Sequence, residues 1–303
     1  MNPSSTEATL PPTPNTPPSG KTALRDFTCI LCGCAEAENW RIADGHPLVR
    51  CRTCGLTLVH PQPTDLEREG QYKVNDTAPA YYAATARLDG PTFHHRMHMI
   101  EKFSPKGRML DIGCNIGMLM DVAAQRGWQV AGIEPNQVAV QHAQKRGLNV
   151  VQGFLSATQA DALKNSFDLV NMFDVIEHFN DPAEAVRLTG RMLKPGGFFS
   201  LSTPNLRSWI ARCFQVKPLE HMFYFDAGTL TLLLEQNGFK VEWIKKTTRR
   251  RDFKNILSSH THFGPVVRLC VRAVIALGLA ELSSWIWAQT VQDELWVLAK
   301  KRG

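Results

Sequence analysis

From Arg108 onward the chain alternates short apolar runs with amphipathic segments, and few architectures accept that alternation. Arg108–Ile112 reads as a strand and 116–126 as a helix ending at Gly127. A second strand, 129–133, precedes a helix over 136–146 that Gly147 closes. Residues 149–152 and Phe167–Phe173 give a third and a fourth strand. Asp181 and Pro182, a capping side chain followed by a first-turn proline, open a helix running to about Leu193. Pro195-Gly196-Gly197 then turns into a fifth strand, 198–202. A helix over 226–237, closed by Gly238, leads to strand 240–246, and 293–300 forms the last strand. Along that last strand Glu294, Trp296 and Leu298 face opposite to Leu295, Val297 and Ala299. Repeated strand–helix units of this kind build a parallel, doubly wound sheet with helices on both faces. Its ligand lies beyond the carboxyl ends of the strands, where the strand order reverses.

The polar and glycine residues sit at those ends. Leu110-Asp111-Ile112-Gly113-Cys114-Asn115-Ile116-Gly117 closes the first strand and opens a helix, and its glycines let backbone approach a ligand closely. Glu134 ends the second strand, 23 residues after Asp111, where a carboxylate can accept both hydroxyls of a ribose. A dinucleotide fingerprint starting at Gly113 requires glycine at 115 and 118. Asn115 and Met118 stand there, which argues against hydride-transfer chemistry.

Ahead of this region, Cys29-x2-Cys32 is followed after eighteen residues by Cys51-x2-Cys54. That is the spacing of a four-thiolate zinc ribbon, in which two knuckles complete a tetrahedron. Four thiolates leave no open coordination position, so the zinc is read as structural. About forty residues build little core of their own, and a metal supplies the missing stability. Cys34 is a spare thiol that competes with Cys32 for the site.

Residues 1–24 are rich in Pro, Ser and Thr, which predicts a disordered tail rather than a secretory signal. No run of 18 apolar residues occurs, so a spanning helix is not expected and the location is read as cytoplasmic, with thiols reduced. The net charge of +6 permits an anionic surface or substrate without requiring one.

Taken in order, LDIGCNIG, GIEPN, FDLVNMFDVIEHFNDP and RMLKPGGFFSLSTPN resemble the motif series of class I S-adenosylmethionine-dependent methyltransferases. The similarity is greatest to a bacterial group with an N-terminal CxxC…CxxC ribbon and extends more distantly to ubiquinone-type O-methyltransferases. It covers roughly 27–246 and the last strand. The resemblance implies a Rossmann-like α/β fold with a seven-stranded sheet of order 3-2-1-4-5-7-6, the last strand antiparallel. It divides the chain into a tail (1–24), a ribbon (25–62) and a methyltransferase domain (63–303) with an insertion at about 247–291. It also implies that Asp111, Gly113, Cys114 and Gly117 hold the methionyl part of the cofactor and that Glu134 holds its ribose. Gly153, Phe154 and Leu155 would meet the adenine, and Phe173 and Asp174 would lie beside the sulfonium. Two positions depart from the pattern: Asn115 replaces a glycine, and 153–155 contains no Asp for the adenine amino group.

The sulfonium methyl is already activated, so much of the catalysis can be proximity and alignment. A base is required when the acceptor must lose a proton. Asp174, Glu177 and His178 follow the fourth strand, and Asp174 and His178 would share a face if the segment were helical. His221, in Glu220-His221-Met222-Phe223, matches an acceptor-pocket position of the family. His221 is the preferred base, with His178 as its positioning neighbour. Asp174, Glu177 and His178 also form an alternative divalent-metal set. Tyr81 and Tyr82 stand where related enzymes place a lid, and 94–98 reads as part of an amphipathic helix.

The inserted segment begins with Lys245, Lys246, Arg249, Arg250, Arg251 and Lys254 and continues as an apolar helical pattern over 266–287. It suits either a helical cap or peripheral contact with an anionic membrane face. The activity expected is methyl transfer to a hydroxyl of a small molecule, glycan or lipid-linked intermediate. A nucleic-acid methyltransferase and a non-catalytic cofactor-binding module whose ribbon contacts RNA or protein are the alternatives. Nothing near the ribbon interleaves a basic block with aromatics, which argues against nucleic acid.

Overall fold

A computed structural model describes residues 26–64, 78–248, 265–279 and 292–303. The expected tail, the side chains of Tyr81 and Tyr82, and most of the insertion lie outside the described residues.

The first three strands are β1 (Ala37–Ala43), β2 (His46–Cys51) and β3 (Thr57–Val59), followed by the long helix α1 (Ala78–Ile100). Then come β4 (Arg108–Ile112), α2 (Met118–Gln125), β5 (Gln129–Glu134), α3 (Gln137–Lys145) and β6 (Val150–Gln152). A short helix α4 (Ala157–Ala162) leads to β7 (Phe167–Phe173), a 3-10 turn (Ile176–His178), α5 (Pro182–Met192) and β8 (Leu193–Pro204). The remainder comprises α6 (Trp209–Phe214), β9 (Phe223–Tyr224), α7 (Ala227–Gln236), β10 (Phe239–Thr247), α8 (Pro265–Ala276) and β11 (Glu294–Lys301).

Seven strands form one sheet in the order β10-β11-β8-β7-β4-β5-β6. Read from the β6 edge this is 3-2-1-4-5-7-6, as expected, and β11 is antiparallel to both of its neighbours. Local chemistry fixes the helix starts. The Asn136 side chain accepts the Ala139 amide at 2.9 Å and the Asp181 side chain accepts that of Glu184 at 2.9 Å. Asp226 and Thr229 close a capping box ahead of α7. Helix α4 was not anticipated, although Ser156 and Gln159 form a capping box that signals it.

The two faces of β11 separate as their alternation requires. Leu295, Val297 and Ala299 join α5 and α7 in one core, while Trp296 and Leu298 pack with Phe93 and Met97 of α1 in another. The ribbon is not a separate bead. Phe27, Leu31, Val49, Leu56 and Leu58 belong to the same core as Met172, Leu201, Met222 and Phe225. A four-stranded sheet β1-β2-β3-β9 joins the two parts, since β9 comes from the segment after β8.

Candidate functional site

The residues expected to meet the cofactor sit on two consecutive strand–helix turns. Gly113 adopts φ 72° after β4, and a side chain there would collide with Val175. Gly117 adopts φ 80° as the residue preceding α2, and a side chain there would meet Leu148. Asn115 occupies the left-handed region at φ 48°, which asparagine tolerates better than other residues with a Cβ. That explains how it replaces glycine in this loop.

The carboxylate of Glu134 ties the loop to β5. Its Oε2 accepts the Asn115 amide at 2.8 Å and its Oε1 accepts the Asn136 amide at 2.9 Å. A carboxylate has about four acceptor positions, so two remain for ribose hydroxyls. Asp111 is buried beside it. Burial, reinforced by the charge of Glu134, pushes the Asp111 carboxyl up to about 8. Burial also raises Glu134. Two neighbouring buried carboxyls, one of which opposes the ionisation of the other, make a cradle suited to a cationic ligand. Gly153 follows β6 with its amide donating to the Glu134 carbonyl at 3.0 Å, and Phe154 is exposed. No carboxylate appears in 153–155 to meet an adenine amino group.

Beyond β7 the chain does not continue as an α-helix. Asp174 takes φ 55° and only a 3-10 turn follows, so Asp174 and His178 do not share a helical face. The Asp174 amide donates to the Ser202 carbonyl at 2.9 Å, and its Oδ1 accepts the Ser202 hydroxyl at 3.1 Å. Arg96 of α1 was not singled out from sequence. It is buried, pairs with Glu294, donates to the Ser202 hydroxyl at 3.3 Å and lies 4.5 Å over the Phe173 ring. Its one visible signal is its place among Phe93, Met97 and Ile100 on the buried face of α1.

His178 and His221, distant in sequence, come together with ring centroids 4.9 Å apart in an edge-to-face arrangement. His178 Nδ1 lies 2.6 Å from the Glu220 carbonyl and His221 Nδ1 lies 2.9 Å from that of Gln215. An imidazole whose Nδ1–H donates to a carbonyl presents Nε2 as its basic nitrogen. Burial, then the charge on His178, holds His221 well below the usual imidazole range.

Glu177 is buried next to them. Its Oε2 accepts the Thr203 hydroxyl at 3.0 Å, and its Oε1 has no hydrogen-bond partner among the described residues. Burial, then the charge of Asp174, raises its carboxyl well above the usual range. Glu177, His178 and His221 each bring a polar atom within 4.8 Å of the others. Such a trio can move a proton or hold a divalent cation. His221 takes the place of Asp174 in the metal set considered from sequence, because Asp174 turns toward Ser202.

The ribbon thiols also converge. Cys29 and Cys54 Sγ are 3.5 Å apart, Cys32 and Cys51 Sγ are 3.5 Å apart, and all four lie within 4.8 Å of one another. Four thiolates at zinc–sulfur distances of about 2.3 Å stand roughly 3.8 Å apart, so the residues present fit a zinc ion. Burial pushes the Cys29 thiol up to about 11 and Cys54 higher still, a cost that a bound dication reverses. Cys34 lies outside the set of four converging thiols, and its sulfur accepts the Glu36 amide at 3.3 Å.

A family profile described as a methyltransferase domain matches residues 86–243. The ubiquinone biosynthesis O-methyltransferase of Serratia proteamaculans is 38% identical over 111 residues, which is 34% of this chain and 45% of that protein. Its Pseudomonas aeruginosa counterpart is 40% identical over 103 residues, 32% of this chain and 44% of the relative. The chain therefore spans less than half the length of these curated relatives. A SAM-dependent methyltransferase structure from Archaeoglobus fulgidus superposes with a TM-score of 0.52 at 20% identity, covering 73% of this chain and 99% of that one, and shares the fold.

Proposed function

Because the chain belongs to the S-adenosylmethionine-dependent methyltransferase family, we propose that it moves the methyl group of that cofactor to a hydroxyl of a small molecule, with His221 as the base. The cofactor supplies an electrophilic methyl bound to a sulfonium. Asp111, Gly113, Cys114 and Gly117 would hold its methionyl part, Glu134 its ribose and Gly153, Phe154 and Leu155 its adenine. Phe173 and Asp174 would border the sulfonium. The buried carboxyl pair Asp111 and Glu134 favours a cationic ligand of this kind over a neutral one.

The observation that carries the reading is the meeting of His178 and His221 beyond the ends of β7 and β8. A hydroxyl has a pKa well above 7 and is a poor nucleophile until its proton is leaving. His221, kept neutral by burial, can take that proton on Nε2. Glu177, buried within 4.8 Å with its ionisation opposed by burial, can release its own proton more readily as positive charge develops on the ring. His178 positions the ring, and Asp174 acts through Ser202 at the strand end.

The acceptor would be a phenolic, sugar or lipid-linked hydroxyl. A peripheral membrane contact on the cytoplasmic face accords with exposed Leu269 of α8 and exposed Leu277 just after it, beyond the basic cluster starting at Lys245. Among the described residues no helix is long and apolar enough to cross a membrane. Purified protein with radiolabelled cofactor, incubated with phenol, sugar and lipid pools, tests the reading. Label is expected in a base-stable ether. Label in RNA, in a protein or in no pool removes the small-molecule hydroxyl as acceptor.

A further inference from the structure

The base reading leaves open what holds His221 in place, and the answer points to the ribbon. Met222, the next residue, is gripped from two sides. Its amide donates to the Glu177 carbonyl at 2.8 Å, and its carbonyl accepts the Val59 amide at 3.0 Å. From there β9 runs antiparallel to β3, with Thr57 opposite Tyr224 and Leu58 opposite Phe223. Leu58, Val59, Met222 and Phe223 are all buried. The Glu220 carbonyl, on the other side of His221, holds His178 Nδ1. The stretch 215–224 thus carries the backbone anchors of both histidines, the Gln215 and Lys217 carbonyls for His221 and the Glu220 carbonyl for His178, and its last residues border a ribbon strand.

That strand begins directly after the second knuckle. The Cys51 amide donates to the Leu56 carbonyl at 2.9 Å and the Gly55 amide to the Cys51 carbonyl at 3.0 Å. Leu56 is fully buried and starts the run into β3. A cation that pins Cys51 and Cys54 therefore pins the strand on which β9 rests. A two-residue strand such as β9 is short, and β3 is the strand that pairs with it; the Glu177 carbonyl and the Leu206 amide hold only its two flanks. The cofactor loop has a different set of anchors. Gly113 and Cys114 donate to the Ile133 carbonyl, and Asn115 and Asn136 donate to Glu134.

We propose that the ribbon is a positioning element of the acceptor site: the Val59 amide and the Leu58 side chain hold the 221–224 segment, so a metal ion in the four-cysteine cluster orders His221 and His178 without ordering the cofactor loop. The coupling is reciprocal, so a ligand that orders 219–225 also tightens retention of the metal. The catalytic part of this inference rests on the His221 reading; the structural part does not.

The test uses the full chain with its metal. Val59→Pro removes the N–H that faces β9 while leaving every cysteine in place, and Val59→Ile retains it. In the Pro variant, amide exchange over 219–225 is expected to rise roughly tenfold or more. Zinc content should stay near one per chain and S-adenosylhomocysteine affinity within about twofold of the parent. The Ile variant should keep the parent's protection. Once the acceptor is identified, the Pro variant should lose kcat at unchanged cofactor affinity. Should the Pro variant not fold, stripping zinc from the parent with a strong chelator gives the same readout: faster exchange over 219–225 and unchanged exchange over 113–136. Unchanged protection at 219–225 in both experiments overturns the proposal, and so does an equal loss at 113–136, which would make the ribbon a general stabiliser. If exchange responds as expected but His221→Ala keeps its rate, the positioning stands and the base reading fails.

Discussion

The half proposed to hold the cofactor, beyond β4 and β5, and the half proposed to meet the acceptor, beyond β7 and β8, are neighbours in the sheet yet are built in opposite ways. Asp111, Gly113, Asn115, Gly117 and Glu134 come from two successive turns, and their main contacts are backbone hydrogen bonds within about 25 residues of chain. The acceptor half joins Glu177 and His178 after β7, Thr203 on β8, His221 before β9 and, through hydrogen bonds, Val59 of the ribbon. The first half needs only local φ/ψ choices and one carboxylate. The second exists only when four separate segments have packed. A change in either half should therefore be felt mainly there.

The largest effect is expected from His221→Ala. It should lower kcat by at least roughly a hundredfold and leave S-adenosylhomocysteine affinity nearly unchanged, by steady-state kinetics and calorimetry. Loss of cofactor affinity in that variant would show the halves to be one unit. Next, Glu134→Ala should weaken S-adenosylhomocysteine by about 2–3 kcal/mol through the loss of charge-assisted hydrogen bonds. It also frees the Asn115 and Asn136 amides, so the unliganded protein should melt at lower temperature, with the histidine segment keeping its amide protection.

Gly113→Ala comes third. The positive φ and the collision with Val175 together should cost about 1–3 kcal/mol of stability by denaturant unfolding. Val175 precedes the 3-10 turn that carries His178, so this variant probes the seam between the halves. A gain in stability would contradict the backbone angle assigned to the loop.

The smallest effect concerns pH. His221 accepts a proton only when neutral, and its pKa is held low by burial and by His178. Activity should thus rise with pH along an acid limb lying below about 6.5, the ordinary imidazole value, and stay level through neutrality. His178→Gln removes one repelling charge, so His221 should titrate higher and the limb should move upward. A limb that does not move, or moves down, would remove His178 from the neighbourhood of the base.

Much of the cofactor half was legible because its signals are short-range. Glycines at strict positions, Asp or Asn at helix starts and the period-two pattern of the last strand act within a few residues, and the sheet order followed from the family resemblance they support. The convergence of Cys29, Cys32, Cys51 and Cys54 was legible for the same reason, since each C-x2-C is a local knuckle. Less was visible where a residue's role depends on a distant partner. Arg96 reads as one more cation of an amphipathic helix until Glu294, Ser202 and Phe173 surround it. Glu177 reads as an ordinary turn acid until burial and Thr203 define it.

The chain's own pattern thus determined the strands of the seven-stranded sheet and the turns that carry Gly113, Gly117 and Glu134, because hydrophobic period, caps and glycine angles are set by neighbouring residues. Tertiary structure alone decided that Asp174 turns toward Ser202, that Cys34 stands outside the thiol cluster, and that His178 meets His221. It alone decided that a ribbon strand pairs with a two-residue segment beyond β8. A pairing of that kind leaves no period in either strand, since Thr57–Val59 and Phe223–Tyr224 are too short to show one. Their backbone hydrogen bonds are chosen by the shape of the core that brings the two segments together.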